Sequence, residues 1–270
     1  MMAQQASETL GKLIGQGRTA EIYAWGDTQA LKLYYAGWSA SWVEHEAHVS
    51  EAVAATGLPV PATGKVLEVD GRYGILFERV SGPSMLQQFS ARPWTVVQSL
   101  RGFTDLQLAM HTRSVPGLPS QREQLTRLIS EASEASAAIR AQALEHLERL
   151  PDDHVLCHGD YHPDNVLMTQ RGPVIIDWGS ASSGHPLADV ARTELLLQMG
   201  EPPPSQKNRW LLTSARALVR RAYIRRYLRL HPASARELAV WRFPIAVARL
   251  SEGIVEERDK LLRLIEASRP

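Results

Sequence analysis

Over the first eighty residues the apolar positions come in short runs rich in strand formers: Leu13-Ile14, Ala20 to Trp25 and Ala30 to Tyr35. The breaks between them, Gly15-Gln16-Gly17 and Gly26-Asp27-Thr28-Gln29, have turn composition. This pattern predicts strands joined by tight turns. Ser41-Trp42-Val43-Glu44 has the form of a capping box and predicts a helix, ended by Gly57 with Pro59 and Pro61. Two more strands are predicted, Gly64 to Val69 and Tyr73 to Arg79, with Asp70-Gly71 as a hairpin turn between them.

After Arg79 the period changes. Pro93 to Met110 and Gln121 to Leu150 read as helices, the second opened by Ser120-Gln121-Arg122-Glu123 and closed by Pro151. A small β island follows at Val155 to Cys157, Val166 to Thr169 and Val174 to Ile176, with Arg171-Gly172 as a turn. From Pro186 onward, helices are predicted at roughly 187–198, 206–230 and 234–268 by their periodicity. Pro244 is expected to kink or split the last, and 200–205 reads as an interhelical loop. The expected architecture is α+β and bilobal. Residues 1–79 would form an antiparallel β lobe with one helix, and 80–270 a larger, mainly helical lobe. Val80-Ser81-Gly82-Pro83 reads as the connector, and a cleft between lobes is a natural ligand site.

Composition adds bounds. A hydrophobic fraction of 44% and a charged fraction of 22% are those of an ordinary globular chain. The net charge of +1 gives no bulk argument for a nucleic acid or an anionic membrane as partner. Cys157 is the one cysteine and has no internal partner. Met1 to Leu10 lacks the basic-then-apolar form of a signal peptide, and no apolar run is long enough to span a bilayer. The expectation is a cytoplasmic protein.

The chemistry concentrates in residues 158–177. Asp160, Asn165 and Asp177 fall on loops between short apolar strands. Asn165 and Asp177 are oxygen ligands of the kind a hard cation such as Mg²⁺ takes. Asp160, five residues before Asn165, suits a carboxylate that accepts a hydroxyl proton. Asp, Asn at +5, and Asp after the next hairpin is the protein-kinase arrangement. Gly15-Gln16-Gly17-Arg18-Thr19-Ala20 reads as a phosphate-covering loop. A dinucleotide-binding loop would need a helix directly after it, and Glu21 to Trp25 is strand-like. Lys32, between Leu31 and Leu33, is costly to bury without an anionic partner. Glu46 is the candidate partner; Glu44 is the alternative, but it is accounted for by the capping box.

His158-Gly159-Asp160-Tyr161-His162-Pro163-Asp164-Asn165, followed by Ile175-Ile176-Asp177-Trp178, resembles the aminoglycoside phosphotransferase and choline kinase superfamily. Gly57-Leu58-Pro59-Val60-Pro61, Leu76-Phe77-Glu78-Arg79 and Asp189-Val190-Ala191-Arg192 extend the resemblance over most of the chain. It implies a protein-kinase-like fold and transfer of a phosphoryl group from ATP, or GTP in its place, to a hydroxyl of a small molecule. It further implies Asp160 as catalytic base, Asn165 and Asp177 as Mg²⁺ ligands, and Lys32 as the phosphate-binding lysine held by Glu46. Gly15 and Gly17 would cover the phosphates. The backbone from Glu78 to Val80 would meet adenine. His158 would be structural, and His162 would brace the loop. Ala20 replaces a third loop glycine, and Trp178-Gly179 follows Asp177 where protein kinases carry Phe-Gly. With no A-P-E segment, these departures argue against a protein-directed kinase.

The acceptor is less legible. Asp189, Glu194, Glu252, Glu256, Glu257 and Asp259 could form an acidic wall for a polycation, or a solvated face paired with arginines. Arg216, Arg220, Arg221, Arg225, Arg226 and Arg229 crowd one helix and read as a solvated face. Trp210 and Trp241 read as packing residues, and Cys157 as a buried small one. A silent nucleotide-binding module of the same fold would be expected to lack Asp160, Asn165, Asp177 or Lys32, and all four are present. A nucleic-acid binder working through the arginine helix is disfavoured by the net charge. Aminoglycosides, choline-like alcohols, homoserine and sugars all remain as acceptors.

Overall fold

The computed structural model describes residues 10–199 and 209–270. The chain divides into two compact units. One comprises Met1–Gln88 with Asp164–Gly179, the other Phe89–Pro163 with Ser180–Pro270.

The first unit is built on a five-stranded antiparallel sheet. Its strands are β1 (Leu10–Gln16), β2 (Ala20–Trp25), β3 (Gln29–Tyr34), β4 (Thr63–Val69) and β5 (Arg72–Glu78), in the order β1-β2-β3-β5-β4. Asp70 and Gly71 both have positive φ, as the two-residue turn between β4 and β5 requires. Helix α1 (Ala40–Ala54) packs on β4 and β5. Its cap is Ser39, whose hydroxyl accepts from the Trp42 amide. The capping box expected at Ser41–Glu44 is therefore absent, since the helix begins before Ser41, and Glu44 is exposed. Ala20, Tyr34, Val43 and Ile75 form the core beneath α1, while Leu31, Leu33, Val69 and Leu76 pack on the opposite face. Each fully buried side chain of this kind contributes about 1.5–3 kcal/mol.

Four short strands follow in the chain: β6 (Val155–Cys157), β7 (Val166–Thr169), β8 (Gly172–Ile175) and β9 (Ser182–Gly184). β7 and β8 pair with each other in the first unit and are tied to it by backbone bonds from Met168 N–H to Pro83 and from Ile175 N–H to Pro59. β6 pairs with β9 in the second unit. β9 carries no apolar pattern and is a strand through its pairing with β6, from Val155 with Gly184 to Cys157 with Ser182.

The remaining helices are α2 (Met85–Ala91), α3 (Val96–Met110), α4 (Gln121–Glu131), α5 (Ala137–Glu148), α6 (Pro186–Met199), α7 (Arg209–Leu230), α8 (Ala235–Leu250) and α9 (Arg258–Ser268). The single helix expected over 121–150 is two. The chain breaks at Ala132, Ser136 caps α5, and Arg140 donates to the freed carbonyls of Ala132 and Ala135. Pro244 does not split α8. Proline cannot bond the carbonyl four residues back, and here His146 Nε2 donates to that Val240 carbonyl at 2.8 Å. The break comes instead at Ser251–Gly253, where Gly253 takes a positive φ. Helix α8 is buried almost continuously from Phe243 to Leu250 and packs on α4, α5, α6 and α9. The expected loop at 200–205 lies outside the described residues. Among the described residues, no helix is long and apolar enough to cross a membrane.

Gly82 is where close approach demands glycine. A Cβ there would stand 2.2 Å from the Met168 carbonyl oxygen. Gly82→Ala is expected to destabilise the protein by about 1–3 kcal/mol. Gly71→Asn, which meets nothing within 4 Å at a φ asparagine tolerates, should leave the melting temperature near the parent value. Thermal denaturation of both variants checks this.

Candidate active site

In the first unit, period-two alternation puts Lys32 on the same face of β3 as Ala30 and Tyr34, toward α1. The buried stripe of α1 is Val43, Glu46, Val49, Ser50 and Val53. One cation and one anion are thus set into two apolar faces that must meet. Lys32 Nζ donates to Glu46 Oε1 at 2.7 Å and to Asp177 Oδ1 at 2.7 Å. It also lies 5.2 Å from the centre of the Tyr34 ring. Burial disfavours the ammonium, but the Asp177 and Glu46 charges outweigh it and raise the Lys32 pKa. Gly179 makes the approach possible, because a Cβ there would lie 2.4 Å from Glu46 Oε2.

Asn165 and Asp177 flank the open end of the β7–β8 hairpin. Val166 pairs with Ile175, and the Ile176 amide donates to the Asn165 carbonyl at 3.0 Å. The two oxygen-bearing side chains therefore leave the same end of one hairpin. Asn165 is buried, while the Asp177 side chain is 45% exposed. Asp177 has a φ of 68°, an uncommon conformation for a residue with a Cβ, and its side chain takes the bond from Lys32.

Gly15 pairs with Ile22, and the Gly17 amide closes the following turn on the Ala20 carbonyl. Neither glycine has a positive φ, and a Cβ at either would meet nothing nearer than 3.5 Å. The loop backbone is left open on that side. Glu78 ends β5, and its carboxylate takes Arg171 at 2.7 Å, which holds its pKa below the usual range. Val80 lies past the strand end, and its backbone makes no hydrogen bond among the described residues.

Asp160 belongs to the second unit. Its amide donates to His158 Nδ1 at 3.2 Å, and His158 is fully buried. The carboxylate has His162 Nε2 at 3.4 Å and the Arg192 guanidinium at 3.8 Å. Burial alone would raise its pKa. The hydrogen bond from His162 and the charge of Arg192 reverse that and hold it well below the usual carboxylate range. Gly159 has a φ of 77°, and a Cβ there would be 2.4 Å from the Ser180 carbonyl oxygen. Its amide donates to Asp189 Oδ1 at 2.7 Å, and its carbonyl accepts from Arg192 Nε at 3.2 Å. Arg192 is the residue that motif reading left without a role. Its spacing of three from Asp189 puts both on one face of α6, a signal present in the sequence.

The candidate acidic residues are taken up by arginines. Glu194 accepts from Arg220 at 2.8 Å and Arg242 at 2.9 Å. Glu252 is paired with Arg192 and, at 2.6 Å, with Arg249, which also holds Glu257 at 2.8 Å. Asp189 is buried, Glu256 is exposed, and Asp259 stands 3.9 Å from Arg258. Trp241 stacks on His185 at 5.0 Å in the core. Cys157 is buried, and burial pushes its thiol pKa up. The side chain of Trp210 lies outside the described residues.

Several known proteins share this architecture. An aminoglycoside-3'-phosphotransferase of type VIII superposes with a TM-score of 0.63 at 22% identity, over 92% of this chain and 97% of that one. An amicoumacin kinase, solved with AMP-PNP, Ca²⁺ and Ami, gives 0.63 at 12% identity, over 99% and 92%. A choline/ethanolamine kinase family protein from Mesorhizobium loti gives 0.59 at 16%, also over 99% and 92%. At such identities the likeness establishes the kinase-like fold. No curated protein sequence matches. The model of the phosphotransferase enzyme family matches residues 11–241, and the chain is a member of that family, a small-molecule phosphotransferase of kinase-like fold.

Proposed function

We propose that this enzyme is an ATP- and Mg²⁺-dependent kinase that transfers the γ-phosphoryl group to a hydroxyl of a small molecule. The observation that carries the reading is Lys32 bonded at once to Glu46 and Asp177, with Asn165 at the same hairpin end as Asp177. A lysine fixed by a buried carboxylate is a preset cation for nucleotide phosphates. The open Gly15 and Gly17 backbone and the unbonded Val80 backbone suit the phosphates and the adenine edge respectively.

The donor set fits Mg²⁺. One amide oxygen and one carboxylate are offered, and among the described residues no group of three or more His, Cys, Asp or Glu side chains is placed to hold a metal ion. Mg²⁺ takes few protein ligands and keeps water and phosphate oxygens for the rest. When bound, it supplies neutralisation of phosphate charge. The amicoumacin kinase, solved with a nucleotide analogue and a divalent cation, is consistent with this. The Asp160 carboxylate, ionised at neutral pH, accepts the acceptor's hydroxyl proton as the new O–P bond forms and the bond to the β-phosphate oxygen breaks. His162 and Arg192 hold that carboxylate in place.

Asp160→Asn is expected to lower kcat by about 10²–10⁴-fold while leaving nucleotide affinity nearly unchanged. ADP release across aminoglycosides, choline-like alcohols, homoserine and sugars, with calorimetry for ATP, checks both. Equal turnover in the variant would remove Asp160 from the mechanism. Lys32→Met strands the Glu46 carboxylate and is expected to cost about 3–5 kcal/mol of stability as well as ATP binding. Adding Glu46→Gln should recover part of the stability but none of the binding, as read by denaturation and calorimetry. Chelation with EDTA should stop ADP release and added Mg²⁺ restore it; turnover that persists in the stripped enzyme would sink the metal assignment.

A further inference from the structure

Behind the Asp160 loop lies a group of buried polar side chains that the phosphoryl-transfer reading leaves unused. Asp189, in the first turn of α6, is buried in full. Burial works against its charge, but the hydrogen bonds it receives from His111, Gln107 and the Gly159 amide keep its pKa below the usual range. Oδ1 accepts the Gly159 amide at 2.7 Å, and Oδ2 accepts Gln107 Nε2 at 2.9 Å and His111 Nε2 at 3.1 Å. Two tyrosines of α7 close the far side. The Tyr227 hydroxyl is 2.6 Å from His111 Nδ1, and Tyr223 donates to Gln107 Oε1.

The protons can be placed. A carboxylate only accepts, so His111 carries its proton on Nε2. In the neutral ring Nδ1 is then an acceptor, and Tyr227 donates to it. Burial raises the pKa of both tyrosines, which keeps them donors. Gln107 Nε2 spends its second proton on Thr193 at 3.1 Å. The donors thus run in one direction, Tyr227 to His111 to Asp189, and Asp189 holds the amide next to Asp160. A network satisfied in this way is rigid, and losing one member leaves a buried group without its partner. Phenylalanine would fill the space of either tyrosine, so the hydroxyls serve the hydrogen bonds. The outer face of the same helix is different: Arg221, Arg225 and Arg229 are exposed. Tyr223 and Tyr227, four residues apart, are the points where α7 enters the network.

We propose that Tyr227 is a positioning residue for Asp160, acting through His111, Asp189 and the Gly159 amide, with Tyr223 supporting it through Gln107. The kinetic consequence rests on the proposed role of Asp160; the positioning does not. Without the Tyr227 hydroxyl, His111 loses the donor that sets its ring. Asp189 then loses a fixed partner, and its hold on the amide of Gly159, at a positive φ, is loosened.

The test is Tyr227→Phe, read in two ways: amide hydrogen exchange of the peptide spanning 155–162, and steady-state kinetics on whichever acceptor the wild type uses. Exchange in that peptide should accelerate about tenfold or more relative to β2 and β3. The kcat should fall about tenfold, with KM for ATP and acceptor within about twofold. Ile265→Val, a core truncation in α9, should change neither readout at equal loss of stability. Should Tyr227→Phe fail to fold, Tyr223→Phe carries the test with the same signs and a smaller effect. Wild-type exchange at 155–162 in the folded variant overturns the proposal, as does accelerated exchange with an unchanged kcat where Asp160→Asn lowers kcat; accelerated exchange with kcat unchanged in both variants supports the positioning and overturns the role of Asp160 as base. Accelerated exchange in a protein whose wild type releases no ADP with any acceptor supports the positioning and overturns the kinase reading alone.

Discussion

An ammonium group taken out of water must be paired, and in the first unit that requirement organises the site. Lys32 is 11% exposed and Glu46 2% exposed, so neither charge is tolerable without the other. Their meeting fixes the register of α1 on the sheet, because only one position of the apolar stripe carries a carboxylate. It also explains Gly179, whose missing side chain leaves room for Glu46. The second acceptor, Asp177, ties the β7–β8 hairpin end to β3. Removing Lys32 would therefore disturb helix, sheet and hairpin together.

The second unit meets a comparable problem with a different device. Asp160 stays ionised although burial opposes it, because His162 and Arg192 stand against its carboxylate. Arg192 is itself held by Glu252, and Glu252 by Arg249, so the charges form a ladder in which each is shared. That sharing bears on the acceptor. Glu194, Glu252 and Glu257 each already carry an arginine, and a cationic group reaching them would have to displace it. The same unit shows how a helix interior survives proline. His146 takes over the bond that Pro244 cannot make, which keeps α8 continuous through its most buried stretch.

Much of this was legible in the chain itself. The strands around Gly15–Gly17, the Asp70-Gly71 turn and the motifs at 158–165 and 175–178 are local signals, read from neighbouring residues. So was Glu46, ahead of Glu44, as the partner of Lys32, although it is Ser39, two residues before Ser41, that caps the helix. The continuity through Pro244 and strand β9 each depend on a partner far along the chain, namely His146 and β6, while the break at Ala132 is held by Arg140, eight residues on, which donates to the carbonyls that the break frees. Arg192 had its spacing from Asp189 visible, but nothing in that spacing names Asp160 as a neighbour.

By itself the sequence determined the α+β class, the order of the elements and the residue types that phosphoryl transfer needs, because these rest on periodicity, turn chemistry and short motifs. The tertiary structure alone decided which charges share a proton or a cation. Lys32 with Asp177 spans 145 residues, and Tyr227 with His111 spans 116. Pairings of that range are set by how apolar faces pack, and the energy that selects them belongs to the whole core, so no local stretch of sequence records them.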